Sequence, residues 1–239
     1  MQKFLRYILI FPIIFLYSAL KAQSANLDEI IASHLKVTGI DSLPQKLKSF
    51  TFEGEIVQND KVFPFKIFGN WPEKYRIDIT FNNQVYSKIS NGNTTWEFSS
   101  NLDSITTSTS QKPECQNFIE RVTGSLFTFA NGTTKANLLA IVSIDDVELY
   151  KIEVLIGKSV RIYYIDRLSY QIIRIDDDNK ENKVTYYSNF KKTDRYYFPN
   201  TISGFEGGKP AISMIFKSIR INNEVLPQLF EKPVYKSKK

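Results

Sequence analysis

From Ser49 to Phe81 the chain places an apolar residue at nearly every second position, and that period of two narrows its fold more than any other feature. Phe50, Phe52 and Ile56 point one way; Phe63, Phe65 and Ile67 do the same; Tyr75, Ile77, Ile79 and Phe81 continue it with Lys74, Arg76, Asp78 and Thr80 opposite. Alternate residues face opposite ways only in a strand, so each run is a strand with one wet face and one apolar face. Turn chemistry separates the runs: Asn-Asp-Lys at 59–61, Phe-Asn-Asn-Gln at 81–84 and Ser-Asn-Gly-Asn at 90–93. Neighbours in sequence therefore pair as hairpins in an antiparallel meander. Trp71 and Pro72 interrupt the pattern between two of these runs, where a turn belongs.

A second meander is expected from Tyr150 to the C-terminus. Its apolar positions are Tyr150, Ile152, Val154 and Ile156; Val160, Ile162 and Tyr164; Ile173 and Ile175; Val184 and Tyr186; Ile212, Met214 and Phe216. The run at 176–182 reads as the turn between two of these strands. In the last strand the apolar parity changes before Ile219 and Ile221, which predicts a bulge. Two segments carry helical spacing instead. Leu27, Ile30, Ile31, Leu35 and Thr38 form one stripe, with Asn26 as cap, Glu29 three residues on and Gly39 as stop. Phe118, Ile119, Val122, Leu126 and Phe127 form the other, with Pro113 in its first turn and Asn131-Gly132 ending it. About ten strands and two main helices predict an α+β, mainly antiparallel fold: a single curled sheet, a half-barrel, with helices covering its concave face. Aromatic residues make up 14% of the chain, enough to line a deep apolar cleft rather than a thin core.

Residues 1–22 read as a signal peptide: Lys3 and Arg6 are followed by the apolar stretch from Tyr7 to Leu20 and by a small residue, Ala22, near which cleavage is expected. The stretch falls short of the roughly 20 residues that span a bilayer. No cysteine near the cleavage point can take a lipid, so the expected product is periplasmic and unanchored. Residues 23–239 then form one domain with a short basic tail at Lys236, Lys238 and Lys239. Removing Lys3, Arg6 and Lys21 lowers Lys+Arg from 31 to 28 against 25 Asp+Glu, leaving about +3, three charges of which lie in that tail. A body this close to neutral has no clustered basic face, so no nucleic-acid partner is expected.

Reaction chemistry finds few candidates. His34 is the one histidine and Cys115 the one cysteine, which excludes a zinc site of Cys/His type and an internal disulfide. His34 reads as a packed or half-exposed side chain of the first helix and Cys115 as buried packing. No nucleophile elbow, phosphate-cradling glycine loop or His-Glu-x-x-His helix is present. Asp176, Asp177 and Asp178 lack the glycine and final glutamate of a calcium loop and read as a hairpin tip. The expectation is no enzyme, no cofactor and no metal.

Two stretches, "FKIFGNWPEKYRIDI" and "ISNGNTTWEFSSNLDSITTST", resemble the periplasmic outer-membrane lipoprotein carriers of the LolA type, within the LolA/LolB superfamily. Pro72 and Tyr75 match the first part of that pattern; Gly92, Trp96 and Phe98 match the second. The closing "LPQLFEKP", with Phe230 and Pro233, looks like the end of such a chain, and "DEIIASHLKVTGI" is similar to the leading helix of lipoprotein-sorting relatives. The resemblance implies a half-barrel closed by helices, an apolar cavity for acyl chains, and receptor proteins at the inner and outer membranes. It also exposes a departure: the carriers' lid-holding arginine falls at Trp71, which lacks a guanidinium fork. Trp71 is expected either to plug the cavity mouth or to pack at a strand end.

The function expected is carriage of a lipidated or apolar ligand by a monomer, with lipoprotein sorting its specific form. The cavity wall would be Phe50, Phe52, Phe65, Ile67, Trp71, Tyr75, Ile77, Ile79, Trp96 and Phe98. The lid would be Leu27, Ile31, Phe118, Val122 and Leu126. The alternative is an envelope interaction or sensor module of the same fold with a filled interior; a hydrolase ranks third.

Overall fold

The computed structural model describes residues 26–39, 41, 43–100, 105–109, 114–124, 135–156, 158–177 and 182–234. The expected signal peptide, Pro113, Leu126, Phe127, Asn131-Gly132, Asp178 and the lysine tail lie outside them. Among the described residues there are thirteen strands: β1 (Ser49–Gln58), β2 (Lys61–Asn70), β3 (Lys74–Phe81), β4 (Gln84–Ser90), β5 (Thr94–Ser99), β6 (Thr106–Thr109), β7 (Lys135–Ile144), β8 (Val147–Ile156), β9 (Ser159–Asp166), β10 (Ile172–Asp177), β11 (Lys183–Thr193), β12 (Tyr196–Glu206) and β13 (Lys209–Ile221). They form one antiparallel sheet ordered β6-β5-β4-β3-β2-β1-β13-β12-β11-β10-β9-β8-β7, a curled half-barrel that does not close. Tight two-residue turns set much of the register. Asn59-Asp60, Asn82-Asn83, Asp145-Asp146 and Gly207-Gly208 all have positive φ at both central positions, the geometry that matches strand twist.

The strand order makes the two meanders separate halves, joined only where β1 pairs β13. Strands β6 and β7 therefore occupy opposite edges, and the chain between them has to cross the sheet. Helix α3 (Glu114–Thr123) lies on that crossing, which puts it over the face that carries Phe50, Phe52 and Tyr75, here called the inner face. Helix α1 (Leu27–Thr38) precedes β1 and covers the other half. Asn26 Oδ1 accepts from the Asp28 amide at 3.0 Å, and Gly39 closes α1 at φ 75°. A short helix α2 (Leu43–Lys46) leads into β1.

Several expectations need correction. Thirteen strands replace about ten because three carried no clean period of two. The edge strand β6 is all Ser and Thr, β7 is apolar at consecutive positions from Leu138 to Val142, and Pro199 and Gly204 interrupt β12. Helix α3 ends at Thr123, with Gly124 at φ 60° just beyond it, rather than running to Asn131. Asp176 and Asp177 belong to β10, paired with Val184 and Lys183, so the turn begins after them. In β9 and β11 the inward apolar residues are Tyr163, Ile165 and Tyr187, not Val160, Ile162, Tyr164, Val184 and Tyr186. Tyr163 pairs with Ile152 and Tyr187 with Ile202, both inward. The bulge in β13 is where the parity change puts it: Glu53 pairs Ser218 while Gly54 pairs Phe216, leaving Lys217 extra.

Candidate ligand cavity

The centre of the inner face is filled by the chain's own rings. Phe118 of α3 stacks on Phe50 at 5.7 Å between centroids and meets Phe52 edge-on at 5.3 Å, while Phe52 also meets Phe198 and Phe216 at 5.5 and 5.4 Å. Phe50, Phe52 and Ile67 are wholly buried and Phe65 nearly so. These four expected wall residues are core and border none of the inner-face cavities described below. Offset and edge-on rings at such spacings leave no room for a guest, which is why this patch cannot be the cleft.

Room opens on either side of α3's second half. An apolar cavity of about 320 Å³ is lined by Ile56, Tyr75, Ile77, Phe118, Val122, Ile202, Gly204, Ile212 and Met214, together with Arg121, Thr185 and Tyr187. It exists because the inward positions here are small: Gly204 and Thr185 face each other in the β11–β12 register. A more polar cavity of about 460 Å³ adjoins it, sharing Arg121, Thr185 and Tyr187 and adding Asn117, Glu120, Arg161, Tyr163 and Asp177. Arg161 Nε donates to Asp177 Oδ2 at 3.3 Å and also bonds the Tyr163 hydroxyl. Burial raises the Tyr163 hydroxyl above its ordinary pKa, with the Arg161 charge working against the rise. Burial likewise raises Tyr187, whose hydroxyl donates to the Arg121 carbonyl at 3.2 Å. A third cavity of about 390 Å³ continues from Ile77 past Ile79 to Tyr86, Lys88, Glu97 and Ser99. All three volumes lie in the range of roughly 300–1,000 Å³ typical of small-molecule sites.

Of the expected wall and lid, Tyr75, Ile77, Phe118 and Val122 meet at the apolar cavity, and Ile79 joins Ile77 at the third. Trp96 does not: it pairs Ile89, which pairs Arg76, so it faces outward. That outer side is where the closing turn Pro227–Phe230 packs on β3 and β4, with Phe230 buried and Arg76 donating to the Leu229 carbonyl. Phe98 borders the third cavity from a position of outward parity, opposite Ser87, whose hydroxyl donates to Asp78. Trp71 packs against the central aromatic cluster, its amide bonded to the Lys48 carbonyl at 2.9 Å, and lines none of the three cavities. Leu27 and Ile31 pack against the cluster of Tyr150, Ile152 and Tyr163, so α1 seals a packed cluster, and neither residue lines the three cavities described. Leu126 lies outside the described residues. Arg121, Arg161, Tyr163, Asp177, Thr185 and Tyr187 were not anticipated. The only signal for the last two was the parity of β11, and Val184 and Tyr186 masked it.

Searches by sequence leave the chain unmatched: no protein-family model and no curated protein matches it. Solved structures do match. A LolA superfamily protein from Nitrosomonas europaea superposes with a TM-score of 0.57 at 16% identity, covering 84% of this chain and 97% of that one. The fold is LolA-like. A DUF1329 family protein from Desulfovibrio piger gives 0.56 at 13% identity, over 84% of this chain and 97% of that one. A putative outer membrane lipoprotein-sorting protein domain from Vibrio parahaemolyticus gives 0.54 at 10% identity, over 82% and 95%. Within this LolA-like half-barrel the open volume lies beside α3, and the filled volume lies under α1 and at the β1–β13 seam.

Proposed function

We propose that this protein binds an acyl-bearing or otherwise apolar ligand in the cavity beside α3 and carries it through the periplasm after export, without catalysis. Its specific form is outer-membrane lipoprotein sorting. The observation that carries the reading is the apolar hollow of about 320 Å³ left between α3 and the inward side chains of β1, β3, β12 and β13. On the scale at which a cavity of about 150 Å³ takes up one benzene, 320 Å³ seats about a dozen carbons. At about 0.8 kcal/mol per methylene, a chain of that length is sheltered by roughly 10 kcal/mol relative to water. A lipoprotein anchor with more than one chain needs α3 displaced, which a receptor accomplishes if it binds the displaced form better. Two structures with this fold, a LolA superfamily protein and a putative outer membrane lipoprotein-sorting protein domain, support the same reading.

Native mass spectrometry of protein purified from periplasm tests it. Co-purified lipid or acylated peptide, or uptake of added acyl chains, is the expected result; a clean apo mass that takes up nothing overturns it. One observation favours a second reading, an envelope interaction module. The edge strand β7 pairs only with β8 among the described residues, and it exposes Leu139 and Ile141. A partner adding a strand there would appear as a cross-link to β7 in protein with an empty cavity.

A further inference from the structure

We propose that the ligand's acyl chain ends in an anionic head, recognised by Arg121. The inference rests on the reading that the apolar cavity takes up an acyl chain. Among the described residues lining that cavity, Arg121 is the one charged side chain, and the remainder are hydrocarbon, aromatic or hydroxyl groups. Arg121 also lines the adjoining polar cavity, so it stands where the two cavities meet. Thr185 accompanies it there with its hydroxyl, while the Tyr187 hydroxyl donates to the Arg121 carbonyl. The polar cavity also carries Glu120 and the paired Arg161 and Asp177, so an anionic head is expected to stay at the Arg121 junction rather than move deeper.

A cation in the last turn of a helix complements the helix dipole whatever else it does. What the dipole does not explain is its position on both cavities at once. A guanidinium presents several N–H donors in one plane and suits a carboxylate or a phosphate monoanion, whereas an ammonium head would be repelled. A free fatty acid and a monoacyl phospholipid share this chemistry.

Competition binding with four probes of equal chain length tests the assignment: tetradecanoate, tetradecyl phosphate, tetradecanol and tetradecyltrimethylammonium, each below its micellar concentration. The two anions are expected to bind at least about tenfold tighter than the alcohol or the ammonium. Arg121→Gln should erase that preference, bringing the anions down to the alcohol's affinity in the same variant, and Arg121→Lys should restore most of it. The ratio between the two anions tells which head source is preferred. Equal binding of all four heads overturns the head-group assignment and leaves the acyl-chain reading standing; uptake of none of them overturns both.

Discussion

Lowering the pH from 8 to 4 should destabilise this protein through one residue, His34. It is fully buried on α1, where Nδ1 lies 2.7 Å from the Tyr170 carbonyl and so carries the proton, and Nε2 is enclosed without a partner among the described residues. Burial lowers its pKa from 6.5 to about 4, and the bond to Tyr170 opposes only part of that fall. The unfolded chain takes up a proton as pH drops through 6.5, while the native state holds out until about 4. Stability attributable to His34 is thus complete above pH 6.5 and is lost on the way down to 4. At about 1.4 kcal/mol per pH unit over roughly 2.5 pH units, the loss is about 3 kcal/mol. Urea unfolding of the wild type and of His34→Gln at each half unit of pH measures it. Glutamine offers an N–H toward Tyr170 and does not titrate, whereas carboxylate contributions are common to both chains. The wild type should be the more stable at pH 8, and its advantage should shrink by about 3 kcal/mol by pH 4. Parallel curves across that window would refute the reasoning.

Ile77→Trp should block the apolar cavity from its wall, cutting tetradecanoate uptake at least about tenfold while shifting stability by less than about 1.5 kcal/mol, because the new ring has open volume to enter. Calorimetric titration and a urea midpoint check it; undiminished uptake would place the ligand elsewhere. Gly54→Ala should cost about 1–3 kcal/mol or more, since a Cβ there would come within 2.1 Å of the Ile215 carbonyl oxygen, which is backbone and cannot step aside. Gly204→Ala is the control: its nearest neighbour is a methyl group of Ile212 at 3.3 Å, and a change within about 1 kcal/mol is expected. Equal costs for the two would show that close strand approach is not what selects glycine at 54.

The first meander was legible because its strands are wet on one face. Lys74, Arg76 and Asp78 alternate with Tyr75, Ile77 and Ile79, and nothing else competes for the parity. In β9 and β11 both faces carry apolar residues. Tyr164 lies against Arg174 and Asp176 on the outer side, and Tyr186 lies against Phe205. A period of two cannot choose between such faces; only the pairing of Tyr163 with Ile152 and of Tyr187 with Ile202 does. Trp96 shows the same limit. Its alternation with Phe98 was visible, but which face the pair takes is decided by the turn at 91–93 that sets Trp96 opposite Ile89. In the site, Tyr75, Ile77, Phe118 and Val122 were readable as apolar stripes, whereas no spacing encodes Arg121 and Thr185 lining one cavity. That juxtaposition arises because the chain between β6 and β7 has to cross from one sheet edge to the other.

The position of the hollow follows from β13. Its ladder is broken twice, by extra residues at Ala211 against β12 and at Lys217 against β1. A bulge bends its strand and raises the local twist, so β13 bends at these two points. Between them the inward residues are Ile212, Met214 and Phe216; Ile212 and Met214 line the apolar cavity with their register partners Gly204, Ile202 and Ile56, while Phe216, opposite Gly54, packs into the central ring cluster. Beyond the Lys217 bulge that cluster continues, with Phe52 opposite Ile219 and Phe50 opposite Ile221. The glycines sit at the same two breaks, Gly54 beside one and Gly204 beside the other, so curvature and vacancy arise from the same positions. A chain selected only to pack this sheet would have put bulk at Gly204 and Thr185, where the inward space is already available; the open volume is therefore a property of the residues that make the bend.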